Sequence, residues 1–318
     1  MHGKIYALFS IFYVLKIKKM SKQSTIWGYT AGVITGVTYG LNPLFAVPLI
    51  KCGISVDAVL FFRYLLAAVL LGTLLACHRT TLRVSRVQLR WLLLLGLLFS
   101  SSSLFLFEAY RYIPSGIATT IIFLYPILVA LIMVFLKVYP TWQVWLSIVV
   151  TFVGVLFLCH SDGAQPWPWQ GLVLTFCAAL VYAIFIVIIN RSKAVARVSD
   201  SVLTFYVLAV GTLVFSAHML MQGTSLAVET GKFVANPVTW LNIVGLAVFP
   251  TIISTATLAA ATKRIGPTRA SVMGVFEPIT AVVVGALAFG EPITPYVVIG
   301  IVLTIAAIVF MIVSEKQK

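Results

Sequence analysis

Residues 261–310, ATKRIGPTRASVMGVFEPITAVVVGALAFGEPITPYVVIGIVLTIAAIVF, align without a gap to residues 109–158. The alignment matches Ala109 to Ala261, Ile113 to Ile265, Ala118 to Ala270, Pro126 to Pro278, Ile127 to Ile279 and Pro140 to Pro292. Self-similarity at this separation means that the polypeptide is built from one unit used twice. A second pattern marks the start of each unit: Gly28, Gly32, Gly36 and Gly40 recur every fourth residue, and Gly171, Thr175, Ala179 and Ala183 repeat the stripe with small residues. That spacing lies on one helix face and lets a neighbouring backbone approach closely.

Composition sets the medium in which these units fold. With 61% apolar residues, 9% charged residues and a mean hydropathy of +1.08, the chain is excluded from the ordinary soluble domains. Its apolar residues run in long blocks, each near the roughly 20 residues that cross a bilayer as a helix. Ten blocks are expected to span, at about 26–50, 57–77, 91–113, 116–138, 141–160, 169–190, 201–222, 240–262, 267–289 and 295–314. All seven tryptophans fall near a block end, where an amphipathic ring prefers the headgroup layer.

The predicted fold is an all-α integral membrane protein of ten transmembrane helices arranged as two inverted five-helix repeats. Residues 1–25 form an N-terminal cytoplasmic or interfacial segment, 26–160 the first repeat, 161–168 a linker, 169–314 the second repeat and 315–318 a cytoplasmic tail. Five is an odd number, so the second repeat enters the membrane from the side opposite to the first. Residues 5–15, IYALFSIFYVL, are too short to span and are followed by Lys16, Lys18 and Lys19 rather than a cleavage site. They read as an interfacial segment, or as sequence upstream of a start at Met20.

A net charge of +14 does not indicate nucleic-acid binding, because the basic residues alternate between one set of loops and the other. The inner loops hold Arg79, Arg83, Arg86 and Arg90, then Lys137, then Arg191, Lys193 and Arg197, then Lys263, Arg264 and Arg269. The outer loops hold Lys51, Arg111 and Lys232. This asymmetry predicts both termini in the cytoplasm of a protein of the plasma membrane, whose partners are lipid and a small-molecule solute; a homodimer is compatible with it. Cys52, Cys77, Cys159 and Cys177 lack ligand or framework spacing, so no metal, cofactor or disulfide scaffold is indicated.

Glu277 is the acid most in need of an explanation. It lies ten residues into its span, about 15 Å of rise at roughly 1.5 Å per residue, which is near the midplane. A charge there costs about 2.5–3.5 kcal/mol on insertion scales, so the side chain should face a cavity, pair, or be protonated. Two readings stand: an acid that binds a proton or a substrate amine, and a neutral acid that satisfies carbonyls freed by Pro278. Its repeat mate is Tyr125, also followed by proline, so the two X-Pro turns should approach the centre from opposite halves.

Arg63 sits about 9 Å below the outer surface, where it can snorkel, pair with Glu108 at similar depth, or hold a substrate carboxylate bidentately. Glu108 has Arg111, one turn on, as a second candidate partner. Tyr39 and Asn42 lie mid-span before Pro43, and Tyr182 and Tyr206 occupy the positions matching Tyr39 and Arg63 in the second repeat. Aromatic walls with polar tips suit small organic solutes, and equally suit helix-to-helix hydrogen bonding. Ser100 to Ser103 read as close helix packing, Glu291 as an interfacial cap or gate, and His160 and His218 as isolated interfacial residues.

Several segments together resemble a known family. These are GVTYGLNPLF in the first span, FFRYLLAAVLLG in the second, EAYRYIPSGIATTIIFLYPILVALI across the third and fourth, and IGPTRASVMGVFEPITAVVVGALAFGEPIT across the ninth into the tenth. They resemble the EamA branch of the drug/metabolite transporter superfamily over residues 26–314. Tyr139 departs from the pattern, standing where many members carry the first-repeat glutamate that matches Glu291. The resemblance implies ten helices and solute movement driven by an ion gradient or by exchange, with cargoes among amino acids, sugars and other metabolites.

Inverted repeats are a solution to alternating access around a midplane site. The predicted function is therefore a secondary transporter, not ATP-driven, of a small organic metabolite such as an amino acid. A membrane-embedded enzyme would need paired aspartates, HExxH or GxSG, none of which occurs in the sequence. A receptor or scaffold is the third class, and substrate flux separates it from a carrier.

Overall fold

The computed structural model describes residues 23–109, 112–113, 118, 121–158, 168–223, 231, 237–289 and 293–315. The first 22 residues, most of the 161–168 linker, Cys159, His160, Arg111 and Glu291 thus lie outside the described residues. Every regular element among the described residues is helical. In chain order they are α1 (23–40), α2 (Asn42–Lys51), α3 (Val56–Cys77), α4 (Arg86–Ala109), α5 (Tyr125–Phe135), α6 (Trp142–Leu158), α7 (Trp169–Arg191), α8 (Lys193–Ala196) and α9 (Asp200–Met221). There follow α10 (Pro237–Ala247), a π-helical segment (Val248–Ile253), α11 (Ser254–Ile265), α12 (Pro267–Met273), α13 (Phe276–Phe289) and α14 (Pro295–Glu315).

Seven stretches are long and apolar enough to cross a membrane: α3, α4, α7, α9, the run Val238–Ile265, the run Pro267–Ala288, and α14. Two more, Tyr125–Phe135 and Trp142–Phe157, are apolar but shorter. Ten uninterrupted spans were expected; the first, fourth and fifth blocks fall short among the described residues, and the ninth counts as a span although it breaks midway. The first block turns at Leu41, just before Asn42 and Pro43, and resumes as α2. The fourth turns at residues 123–124, between helical residues 121–122 and α5, with Pro126 in the first turn of α5. The ninth breaks at residues 274–275 ahead of Pro278. Proline has no N–H to give to the preceding turn, so each interruption falls where the helical ladder must lose a bond.

Large apolar side chains face outward around the bundle, among them Phe135, Leu213, Leu220 and Leu287, each at least 70% exposed. A water-facing surface would not carry such a belt; hydrocarbon accommodates it without cost. Inside, the first-half helices α3 and α4 pack against α9, α4 also packs against α7, and α6 lies along α14. The halves are thus interlocked, with Leu60, Tyr64, Leu95, Phe185, Leu203 and Phe215 buried between them.

The glycine stripe explains one of these seams. A Cβ on Gly32 would stand 2.8 Å from Cβ of Met273, on Gly36 2.6 Å from Cβ of Phe276, and on Gly40 2.5 Å from the Glu277 carbonyl oxygen. The bare face of α1 therefore lies directly on the α12–α13 break, and only glycine permits that approach. Helix α6 and α14 use the same device, for a Cβ on Gly154 would meet Thr304 Cγ2 at 2.6 Å.

Candidate functional site

The broken helices converge on a small enclosed space in the middle of the bundle. Tyr39 from α1, Phe99, Ser102 and Ser103 from α4, Tyr125 from α5, Tyr182 from α7 and Glu277 from α13 line it. Its volume is about 30 Å³, room for a water molecule but not for an organic solute. The two X-Pro residues, Tyr125 and Glu277, meet here from opposite halves. Tyr125 packs edge-on to Tyr182 at 5.0 Å between ring centroids, and its hydroxyl donates to the Ser271 carbonyl at 3.0 Å. A Cβ on Gly274 would stand 1.7 Å from that hydroxyl oxygen, so the turn before α13 must carry glycine to receive it.

Arg63 is the other ionisable side chain in this region and is only 3% exposed. Its Nη1 donates to Asn42 Oδ1 at 3.0 Å, its Nη2 to the Pro250 carbonyl at 3.0 Å, and its Nε to Thr251 Oγ1. The guanidinium also lies over the rings of Tyr39 at 5.7 Å and Tyr64 at 5.9 Å. Cation–π contact and charge-assisted hydrogen bonds offset the cost of burying it. Two of the three acceptors come from the π segment, where Pro250 interrupts the ladder, and Thr251 Oγ1 bonds in turn to the Leu246 carbonyl at 2.7 Å.

Tyr39 links the two side chains, its ring beneath the Arg63 guanidinium and its side chain on the same cavity wall as Glu277. The centre thus presents one buried cation held by neutral acceptors, one acid on the cavity wall, and tyrosines between them. Tyr64 Oη and Ser103 Oγ, 3.0 Å apart, continue the polar wall.

Three sequence-based expectations are corrected. Arg63 does not pair with Glu108: the π segment and Asn42 occupy the guanidinium, while Glu108 lies instead beside Asp57 and His218. Tyr206 does not line the cavity; its hydroxyl donates to the Leu82 carbonyl at 2.9 Å in the loop between α3 and α4. His218 is not isolated, since its Nδ1 is 3.2 Å from Asp57 Oδ1.

The serine run divides its work. Ser100 bonds back to the Gly96 carbonyl of its own helix at 2.7 Å, whereas Ser102 donates to the Ala178 carbonyl at 3.0 Å, which ties α4 to α7, and also borders the cavity. Thr251 and Pro250 were missed by sequence reasoning. The available signal was a proline in mid-span, as at Pro126 and Pro278, here followed by a hydroxyl residue.

A multi-pass helical membrane protein made of two like halves around a central polar site is the class these features define. The EamA-like transporter family matches residues 26–159 and again residues 169–313, and the chain belongs to that family. It is 24% identical to the uncharacterized transporter YdfC of Bacillus subtilis (strain 168) over 298 residues, covering 92% of this chain and 90% of that one. It is 28% identical over 138 residues to an uncharacterized transporter of Archaeoglobus fulgidus, 43% of this chain and 46% of the relative. A protein crystal structure superposes with a TM-score of 0.74 at 18% identity, over 93% of this chain and 98% of the other, which shows the common fold.

Proposed function

We propose that this membrane transporter is a secondary carrier that moves a small zwitterionic metabolite, an amino acid or a near relative, by alternating access. The observation that carries the reading is the pairing at the centre of one buried cation, Arg63, with one cavity-wall acid, Glu277, separated by tyrosine rings. A guanidinium recognises carboxylate and an acid recognises ammonium, so the two ends of a zwitterion each find a complement. The two tyrosines supply apolar walls with polar tips.

In this reading ten membrane passes form two inverted five-helix repeats, with the α1–α2, 121–135 and α12–α13 breaks meeting at the pseudo-two-fold axis. Support comes from the repeated family match and from the odd number of passes in each half. The basic loops support a reading with both termini in the cytoplasm, the Lys263 end facing inward and the Asp57 end outward. The 30 Å³ cavity is the closed state of the cycle: one half must rock against the other before a solute can enter. Glu277 exchanges its proton as the cavity changes sides, coupling solute movement to the proton gradient.

The recognition step is tested by thermal unfolding of purified protein in the presence of amino acids, their amides and their decarboxylated amines. A ligand that binds only the folded state raises the melting temperature in proportion to occupancy. At least one intact amino acid should stabilise wild type, its amide and amine should not, and Arg63→Gln should abolish the effect. Equal stabilisation by an amino acid and its decarboxylated amine would contradict the carboxylate role of Arg63.

A further inference from the structure

At the end of the bundle where α3 begins and α4 and α9 finish, three side chains that do not line the central cavity converge, and the transport reading has no use for them. Asp57 lies in the first turn of α3, Glu108 is the penultimate residue of α4, and His218 lies in the last turn of α9. One ligand atom from each lies within 4.8 Å of the other two. They come from both halves of the chain and are 51 and 110 residues apart in sequence, so no local spacing reveals them.

We propose that Asp57, Glu108 and His218 bind a divalent transition-metal ion of Zn²⁺ character and thereby fasten the ends of α3, α4 and α9 together. The donor set is one imidazole and two carboxylates, which suits zinc and its neighbours; calcium and magnesium prefer oxygen alone. Donors around a tetrahedral zinc stand about 3.4 Å apart when each is roughly 2.1 Å from the metal. His218 Nδ1 and Asp57 Oδ1 are already 3.2 Å apart.

The state of His218 points the same way. Its Nδ1 is shielded from solvent yet makes no hydrogen bond of acceptable geometry, even to Asp57 beside it. With the ring proton on Nε2, Nδ1 offers a lone pair beside the Asp57 carboxylate, with the Glu108 carboxylate in the same cluster, an arrangement that a cation completes. The side chains of His218 and Asp57 are 16% and 14% exposed, enough for an ion to enter without unfolding the helix ends. Three protein ligands leave a fourth position for water, so the site is a clamp that an external ion can enter and leave.

Because α3 and α4 belong to the first half and α9 to the second, an ion bound here bridges the halves at one end. Under alternating access it holds that end shut and slows transport. The binding itself does not depend on what the carrier moves.

The test is isothermal titration of the purified full-length chain with ZnCl₂ in a non-chelating buffer, with visible absorption of the Co²⁺ form as the geometric readout. Wild type should show one site of micromolar affinity or tighter, and Co²⁺ bands of four- or five-coordinate intensity. His218→Ala and, separately, Glu108→Gln should each weaken Zn²⁺ at least tenfold and remove those bands, while His78→Ala leaves both unchanged. Melting temperatures without metal show whether each variant is folded, and Glu108→Gln carries the comparison if His218→Ala is not. Absence of saturable binding in wild type, or equal affinity in both folded variants, overturns the proposal and leaves His218 as an ion-pair partner of Asp57.

Discussion

The Tyr125 hydroxyl and Gly274 are fitted to each other across the two halves of the chain: a single methyl on Gly274 would stand 1.7 Å from the phenolic oxygen. The same hydroxyl donates to the Ser271 carbonyl at 3.0 Å. One contact therefore fixes the distance between the two X-Pro turns that border the central cavity.

Gly274→Ala should destabilise the protein by about 1–3 kcal/mol, the usual cost of overpacking. Tyr125→Phe should cost about 0.5–1.5 kcal/mol for one hydrogen bond. The double variant should cost less than the sum, because phenylalanine removes the oxygen that the new methyl strikes. Thermal unfolding of the four proteins in detergent measures the coupling; strict additivity would show that the two residues do not meet.

Arg63 depends on its fork of donors rather than on charge alone. Arg63→Lys keeps the charge but cannot reach Asn42 Oδ1, Thr251 Oγ1 and the Pro250 carbonyl together. It should lose solute binding at least tenfold while remaining folded. Asn42→Ala, which leaves the guanidinium one acceptor short, should cost about 1.5–3 kcal/mol of stability. Ligand-induced thermal shift and the ligand-free melting temperature separate the two effects.

At the opposite end from Asp57, Asp200 bridges Lys263 at 2.9 Å and Arg264 at 3.1 Å, and Lys263 also donates to the Val198 carbonyl. These side chains are 14–31% exposed, so each pair is worth about 0–1 kcal/mol and is screened by salt. Asp200→Asn should lower the melting temperature slightly at low ionic strength, and the difference should shrink at 1 M NaCl. A deficit that persists at high salt would assign Asp200 a packing or capping role instead.

The stripe on α1 sets the spacing of the other seam. Gly36→Val should destabilise more than Gly53→Val, although Gly53 has a φ of +76°, because Gly36 lies against Phe276 and the Met273 carbonyl while Gly53 has open space around it. Expression level and melting temperature rank the two; the reverse order would mean that the α1 contact with α12–α13 yields to accommodate a side chain.

Much of this organisation was readable in the sequence because membrane helices announce themselves by length and apolarity, and because the repeat aligns without gaps. The glycine stripe showed that a backbone would press against α1, but periodicity carries no information on which helix does so. Prolines marked the breaks at Asn42–Pro43, Tyr125–Pro126 and Glu277–Pro278, and Tyr39, Tyr125 and Glu277, which precede them, do line one cavity. Arg63 was singled out by its cost in lipid, whereas its partners Pro250 and Thr251 lie 187 and 188 residues away and follow from tertiary packing alone. Depth along a helix placed Arg63 and Glu108 at one level without fixing their rotation, so the pair inferred from depth does not form. Tyr206 shows the limit of repeat arithmetic: the residue matching Arg63 turns to the α3–α4 loop.

The measurement that bears most directly on the proposed mechanism is concentrative uptake of the stabilising amino acid into proteoliposomes under an imposed pH gradient, compared between wild type and Glu277→Gln. Wild type should accumulate the solute only with the gradient, and the variant should retain exchange of internal for external solute while losing gradient-driven accumulation. Gradient-driven accumulation by Glu277→Gln at the wild-type rate would contradict proton coupling through this acid.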